Sequence, residues 1–465
     1  MKLVKYKTRN RFNQSFILIE LSFFCFFLVF CKKGWLEAKP NKSLIIPSTI
    51  DDFQALLDNS SIFNSNQPVL GEVSADNYYV QYEKWQAIPT ATERNAYIWE
   101  SDIYDGETTT DWSAPYQKIF YSNVVLEGMV KISKDQYNMV SWDNIEGSAL
   151  FWRAFNHYSL AQQFCKPYIS ETANSDLGIP LRMTADVNAK SVRSTIQETY
   201  SQILDDLNKA KDLLPPTPLY KTRPSKPAAF ALLARTYLMM DKYDSAYAYS
   251  DSCLKLYNTL INYNTLDSTA GYPISQFNDE DILFVSCPFS RILFSLQNLI
   301  VDSTLYNSFD SRDLRKTMFF TTKTFGITFR GSYRGAFVLY GGIAIDEIYL
   351  TRAECAARIG NTDAAMSDLN ILLQNRWRDG LFSPFVASNP DKALAIILAE
   401  RRKELIFRGI RWSDLRRLNN DSRFSTTLVR VLDGKNYSLA PNSPLYVLPI
   451  PNNEITNSGI QQNPR

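Results

Sequence analysis

A mainly α-helical chain, built as a tetratricopeptide-like helical repeat scaffold with a large irregular, loop-rich insertion and short strands, is the fold class this sequence predicts. Three observations carry that expectation. Segments 227–254 and 346–373 read as two copies of one helix pair: Phe230, Leu233 and Tyr237 supply bulk in the first, Tyr349 and Leu372 in the second. Small residues (Ala234 and Ala246, then Ala353 and Ala365) stand where two helices would cross closely. Apolar residues recur at helical spacing in earlier segments as well. Between the two copies, residues 257–342 are rich in Asn, Asp, Ser, Gly, Tyr and Phe without a sustained period, which reads as an insertion packed beside a stack of helix pairs.

The chain begins with five cationic side chains in its first eleven residues (Lys2, Lys5, Lys7, Arg9, Arg11), followed by an apolar run at 21–30 that ends at Cys31. This order predicts a secretory signal at 1–30. The run is shorter than the roughly 20 apolar residues that span a bilayer, and Glu20 stands at its entrance. The whole sequence carries a formal charge of +2, but removing residues 1–30 takes away five cations and one carboxylate and leaves −2. Nothing in that balance steers a polyanion, so a nucleic-acid partner is excluded. Outside the signal, Cys165, Cys253, Cys287 and Cys355 lack metal-ligand spacing and read as small buried hydrophobes.

After the cysteine, Pro40 and Pro47 mark an extended lead, and Ser48 or Thr49 can cap a helix whose apolar side is Phe53, Leu56 and Leu57. Residues 71–115 differ in texture, with DNYYVQYEKWQAI and AYIWESDIYDGETTTDW dense in aromatic, acidic and amide side chains but without a period. Loops that carry many rings fit a binding surface as well as a cover for the core edge. On that composition, Asp76, Asn77, Tyr78, Tyr79, Trp85, Trp99 and Trp112 are the expected ligand contacts. Helices are expected at 116–132, at 148–168 and at 195–214, where Pro215 and Pro216 end the last. His157 lies in the second of these among Trp152, Phe155, Tyr158 and Phe164, a setting for a packed histidine. Short strands are expected at 282–285, 328–330 and 337–340.

The stretch ERRKELIFRGIRWSDLRRL, residues 400–418, interleaves arginines, carboxylates and large apolar side chains. Read as a helix, Leu405, Ile406, Trp412 and Leu415 form its apolar stripe. Glu404 pairs with Arg408 and Asp414 with Arg417 along its flank, and Gly409 is a hinge or helix end. Phosphate-binding surfaces seldom mix in carboxylates so regularly, so the stretch reads as structural. No G-x-S-x-G, H-E-x-x-H, P-loop or C-x-x-C is present, which leaves no catalytic residue, metal ligand or cofactor to assign. Adjacent acids at Asp51/Asp52, Asp205/Asp206 and Asp279/Glu280/Asp281 read as caps or solvated carboxylates, and Asp346/Glu347 as the acidic opening of a helix.

The order E-R-R-x-E-L-x-F-x-G-x-R-W-x-D-L-R-R resembles the signature of SusD/RagB-family nutrient-binding lipoproteins of the Bacteroidetes outer membrane. The W-L-E-x-K-P segment after Cys31, STLYNSFDSRDLRKTMFF at 303–320 and the YVLPIPNNEITNSGIQQNPR ending resemble the same family. The resemblance implies one SusD-like domain over 31–465. Its N-terminal part is about 31–215 and its C-terminal part about 216–465, which holds the insertion at 257–342. It further implies lipidation at Cys31, a surface-facing position at the cell outer membrane, a SusC-like TonB-dependent channel as partner, and capture of a glycan without cleaving it. Phe30 before the cysteine and Lys32 and Lys33 after it depart from the family's usual export signal. Glu400, Arg401, Arg402, Glu404, Arg411, Trp412, Asp414 and Arg416 are expected to hold the fold together. Peptide capture, as in the RagB-like branch, and an envelope scaffold with no nutrient ligand stay open as alternatives.

Overall fold

Thr49 opens the first helix of the computed structural model, which describes residues 47–294 and 299–465; the predicted signal at 1–30, Cys31 and the WLEAKP motif lie outside the described residues. The Thr49 hydroxyl accepts the Asp52 N–H, and the Asp52 carboxylate accepts the Thr49 N–H in return, a capping box for α1 (Ile50–Leu57). Phe53 of α1 packs on α2 (Thr110–Met129) at Gly128, where a Cβ would lie 2.0 Å from the Phe53 ring. Only glycine lets the two helices meet there.

α2, α3 (Met139–Phe164) and α4 (Ile196–Leu213) form a layer with α3 in the middle. That position explains why α3 is buried on nearly every side from Gly147 onward, whereas α4 buries only one face with Ile196, Tyr200, Ile203 and Leu207. α2 and α3 start earlier than their apolar spacing indicates: α2 opens on Thr110, Asp111 and Ser113, and the first apolar residues of α3, Met139 and Val140, are exposed instead of joining its buried face. Arg153 of α3 donates to both oxygens of Asp206 on α4 at 2.7 and 2.8 Å, and to Asn123 of α2, locking the layer. Asp206 is therefore buried and paired, not solvated as expected.

The two helix-pair copies are α5 (Lys226–Met239) with α6 (Tyr243–Leu256), and α7 (Ile345–Arg358) with α8 (Thr362–Gln374). α6 packs directly on α7, so the copies are neighbours in space although the insertion separates them in sequence. Arg235 reaches Glu347 at 2.5 Å across the stack, and Arg352 joins Asp251 and Asp368 at 2.8 and 2.7 Å. The helical scaffold is completed by α9 (Pro390–Glu404) and α10 (Arg411–Leu418).

The 400–418 stretch is therefore not one helix. Phe407 at φ +56° and Gly409 at φ +72° turn the chain between α9 and α10, which takes Leu405 and Ile406 off the expected stripe. Glu404 and Arg408 do not pair, because each finds a distant partner instead. The Asp414–Arg417 pair forms at 2.8 Å.

The short strands β1 (Tyr78–Val80), β2 (Leu177–Pro180), β3 (Arg193–Thr195), β4 (Asp281–Leu283), β5 (Leu299–Val301), β6 (Phe320–Lys323), β7 (Gly326–Phe329), β8 (Ile343–Ala344), β9 (Leu428–Leu432) and β10 (Lys435–Leu439) form antiparallel pairs. These are β1–β5, β2–β3, β4–β8, β6–β7 and β9–β10. The strand expected at 337–340 is reduced to a single bridge from Tyr340 to Ser286. β1 opposite β5, with Tyr79 facing Ile300 in register, seats the aromatic-rich 71–115 region against the insertion. That region folds into short helices at Leu70–Ser74, Tyr82–Gln86 and Ala91–Tyr97 rather than open loop. Ser48–Arg465 forms one compact unit, and among the described residues no helix is long and apolar enough to cross a membrane.

Candidate functional site

The arginines and acids around α9 and α10 form a buried charge network. Arg401 reaches Asp414 at 2.9 Å, Arg417 reaches Glu354 at 2.5 Å, and Arg315 bridges Glu400 and Glu404 at 2.5 and 3.0 Å. Arg376 continues the network from Glu404 to Glu280, at 2.7 Å each, and Arg408 meets Asp346 at 3.0 Å. Glu280, Asp346 and Glu404 bring oxygens within 4.8 Å of one another, but guanidinium groups already occupy them. The expectation that Glu280 is a cap or a solvated carboxylate is thus corrected, because it is buried against Arg376; Asp346 and Glu347 open α7 as expected, and both are buried and paired with arginines. Burial pushes the Glu280 carboxyl up, and Arg376 opposes that push.

Asp76 ties the N-terminal region into this network, accepting from Arg411 at 2.7 and 2.9 Å and from Arg402 at 3.1 Å. Burial alone would raise its carboxyl, but the Arg411 and Arg402 guanidiniums hold it well below the usual carboxylate range. Arg416 has a different partner, donating to the carbonyls of Gln162 and Cys165 at the C-terminal end of α3, where the helix dipole favours a cation. Trp412 packs against Tyr446 with ring centroids 4.8 Å apart and against Gly71, whose missing Cβ would lie 3.0 Å from the tryptophan.

Most of the residues expected to touch a ligand are spent inside the protein. Asn77 is 1% exposed and donates to Glu72 at 3.1 Å. Tyr78 is buried between Tyr97 and Phe407 with its hydroxyl on the Val73 carbonyl at 2.7 Å. Trp99 is buried, its indole N–H donates to the Ser74 carbonyl at 3.0 Å, and Arg430 lies over its ring. The physical reason is common to these three: each polar edge is satisfied by nearby protein, so the side chain belongs to the core. Trp112 is also nearly buried and lies on the floor of a separate cleft. Only Tyr79, 45% exposed, and the half-buried Trp85 present rings at the surface.

Those two rings belong to a strip that the insertion completes. Tyr82 stacks on Trp85 at 6.0 Å with the planes 27° apart, and the Trp85 N–H donates to the Arg94 carbonyl at 3.0 Å. Next to Arg94, Glu93 accepts the backbone N–H groups of Arg291 and Ile292 at 3.1 and 2.9 Å, fixing the helix Arg291–Phe294 against the helix Ala91–Tyr97. Burial raises the Glu93 carboxyl despite those bonds. Arg291 lies 6.0 Å over the Phe289 ring, and Phe289 meets Phe337 edge-on at 6.1 Å. Phe289 and Phe337 are 55% and 48% exposed. The strip therefore combines flat apolar faces with a guanidinium, a chemistry suited to sugar faces and their hydroxyls. Sequence reasoning missed Tyr82, Glu93, Phe289, Arg291 and Phe337; the local signal was two exposed phenylalanines in an aperiodic insertion.

No exposed nucleophile accompanies these groups among the described residues. His157 is fully buried, with burial and the Arg153 charge pulling its pKa down to about 3, so it stays neutral. The four cysteines among the described residues are buried free thiols, and burial pushes each of them up.

Comparison with known proteins follows the same outline. A family model described as "Starch-binding associating with outer membrane" matches residues 34–238, and one described as "SusD family" matches residues 345–465. A SusD-like protein P2 from Formosa agariphila is 30% identical over 143 residues, 30% of this chain and 26% of that protein, so the match spans about a quarter of the relative's length. Among solved structures, a SusD superfamily protein from Bacteroides thetaiotaomicron superposes with a TM-score of 0.71 at 21% identity, over 90% of this chain and 100% of the other. Surface glycan-binding protein A from Bacteroides uniformis gives 0.68 at 16% identity, over 89% and 99%.

Proposed function

From the premise that this chain belongs to the SusD/RagB family, a non-enzymatic family of glycan-binding proteins associated with the outer membrane, we propose that it captures oligosaccharides on the aromatic strip and delivers them to a SusC-like TonB-dependent channel. Cys31 carries the lipid that holds the protein at the membrane, with the strip facing the medium. The observation that carries this reading is the strip itself: Tyr79 and Trp85 come from one part of the chain and Phe289 and Phe337 from another, Glu93 ties the two parts together, and each of the four presents a ring at the surface. Ring faces packed on C–H surfaces, with Arg291 for hydroxyl oxygens, bind a saccharide without activating it.

Calorimetry of the mature chain from Cys31 onward, against maltohexaose, cellohexaose, laminarihexaose and a tryptic peptide mixture, tests the proposal. Saturable binding of one saccharide class with no new reducing ends supports it. Binding of the peptides alone transfers the strip to peptide capture, and release of reducing ends refutes a non-cleaving role.

A further inference from the structure

α2 carries a second set of rings on a different face. Trp112, Tyr116 and Phe120 follow one another at i, i+4 and i+8, so they line one side of the helix. They form the floor of a cleft of about 770 Å³ whose other walls are the 182–191 loop and the helix Asn452–Ser458. None of its lining residues belongs to the aromatic strip.

The cleft is built in advance of any ligand. Trp112 is wedged between Tyr116 and Phe164, each 4.9 Å away, and the Tyr116 hydroxyl donates to the Pro180 carbonyl at 2.9 Å. The loop wall is fixed from inside, because Arg182 donates to the carbonyls of Ala189 and Asp186 at 2.5 and 2.9 Å. Asn123 donates to the carbonyls of Arg182 and Thr184 at 2.9 and 3.1 Å. Glu127 accepts the Ala185 N–H at 2.8 Å. These bonds hold the walls apart, so the cleft needs no closure to exist.

The groups left over are those that recognise a polyhydroxylated ring. Trp112 is only 6% exposed, and it closes the cleft floor beside the half-buried rings of Tyr116 and Phe120. Around the rings stand Gln117, Asn188 and Asn457, the Lys190 ammonium and the half-buried Glu454 carboxylate. Aromatic floor, amides and a carboxylate at one cleft match the apolar face and hydroxyl rim of a saccharide.

We propose that this cleft is a second saccharide-binding site, with Trp112, Tyr116 and Phe120 as its platform and Glu454 and the amides as its hydroxyl partners. The proposal rests on the glycan reading of the protein and adds a separate point of attachment. Two sites on one rigid unit hold a long chain more tightly than either does alone, by raising the effective concentration at the second contact.

The experiment is titration of the mature chain with each of the three hexaoses, reading stoichiometry as well as affinity, for wild type, Phe120→Ala with Glu454→Gln, and Trp85→Ala with Phe289→Ala. Two saccharides per chain are expected for wild type and one for each double variant. Glu454→Gln alone, at a half-exposed side chain that makes no ion pair among the described residues, keeps the fold and weakens the cleft site about tenfold, the loss of roughly one good contact. Thermal melting confirms that each variant is folded. One saccharide per chain in wild type, lost only with Trp85 and Phe289, overturns the second site and leaves the strip intact. Binding that vanishes only with Phe120 and Glu454 moves the whole function to the cleft and refutes the strip. A wild type that binds peptides but no saccharide refutes the glycan reading and this site with it.

Discussion

Trp412→Ala separates a structural signature from a binding residue. Trp412 is 2% exposed, stacks on Tyr446 and sits against Gly71, so removing its ring opens a cavity that the glycine backbone cannot fill. Large aromatic truncations of this kind cost about 3–5 kcal/mol. One opposing contribution works the other way: the Trp412 indole N–H is buried without an acceptor, and deleting an unsatisfied donor returns about 1 kcal/mol or more. The net expectation is a loss of about 2–4 kcal/mol. Because the unfolding entropy grows with chain length, this becomes a fall in Tm of only a few degrees, roughly 2–5 °C. Calorimetric melting with a parallel binding titration checks both halves. Trp412→Phe, which keeps a ring and removes the stranded N–H, is expected to recover most of the loss. A Trp412→Ala protein that melts like wild type but no longer binds saccharide refutes the argument.

Other perturbations reach different parts of the same account. Arg376→Met leaves Glu280 and Glu404 buried without one shared guanidinium, and a loss of about 3–5 kcal/mol is expected in urea unfolding; a stable variant contradicts the network's role. Gly128→Val drives branched carbon into the Phe53 ring, so a loss of about 1–3 kcal/mol is expected, partly restored by adding Phe53→Leu. Burial pushes Glu72 up to about 7, well above its unfolded value, with the Asn77 hydrogen bond opposing. The folded state then holds a proton that the unfolded state has released between about pH 4.5 and 7, so this contribution is complete at low pH and lost as pH rises through 7. Glu72→Gln is expected to flatten the decline in stability between pH 5 and 8. An unchanged slope shows that Glu72 ionises at no cost in the fold.

The helical framework was legible where the apolar period was strong. The pairs α5–α6 and α7–α8 and the amphipathic α4 lie where their spacing places them, since each buries one definite face. The first turns of α2 and α3 carried no such mark, since that of α2 is mostly polar and Met139 and Val140 of α3 face outward. The break at Phe407 was invisible because phenylalanine rarely takes a positive φ, and only tertiary packing holds it there. At the candidate site, composition pointed to the right region but not to the right rings. Tyr78 and Tyr79 are adjacent, yet strand alternation sends one into the core and the other to solvent, a choice set by the β1–β5 register. That register joins strands more than two hundred residues apart, and the bridge from Ser286 to Tyr340 that flanks Phe289 and Phe337 joins residues about fifty apart, beyond the reach of local spacing.

The measurement that reaches the central claim most directly is the saccharide affinity of Tyr79→Ala with Trp85→Ala and Phe289→Ala, compared with wild type at equal thermal stability. If the strip is the capture surface, affinity at that site falls at least about a hundredfold while melting stays within a few degrees, three ring contacts being worth about 3 kcal/mol together. A folded triple variant that binds its saccharide as wild type does contradicts the claim.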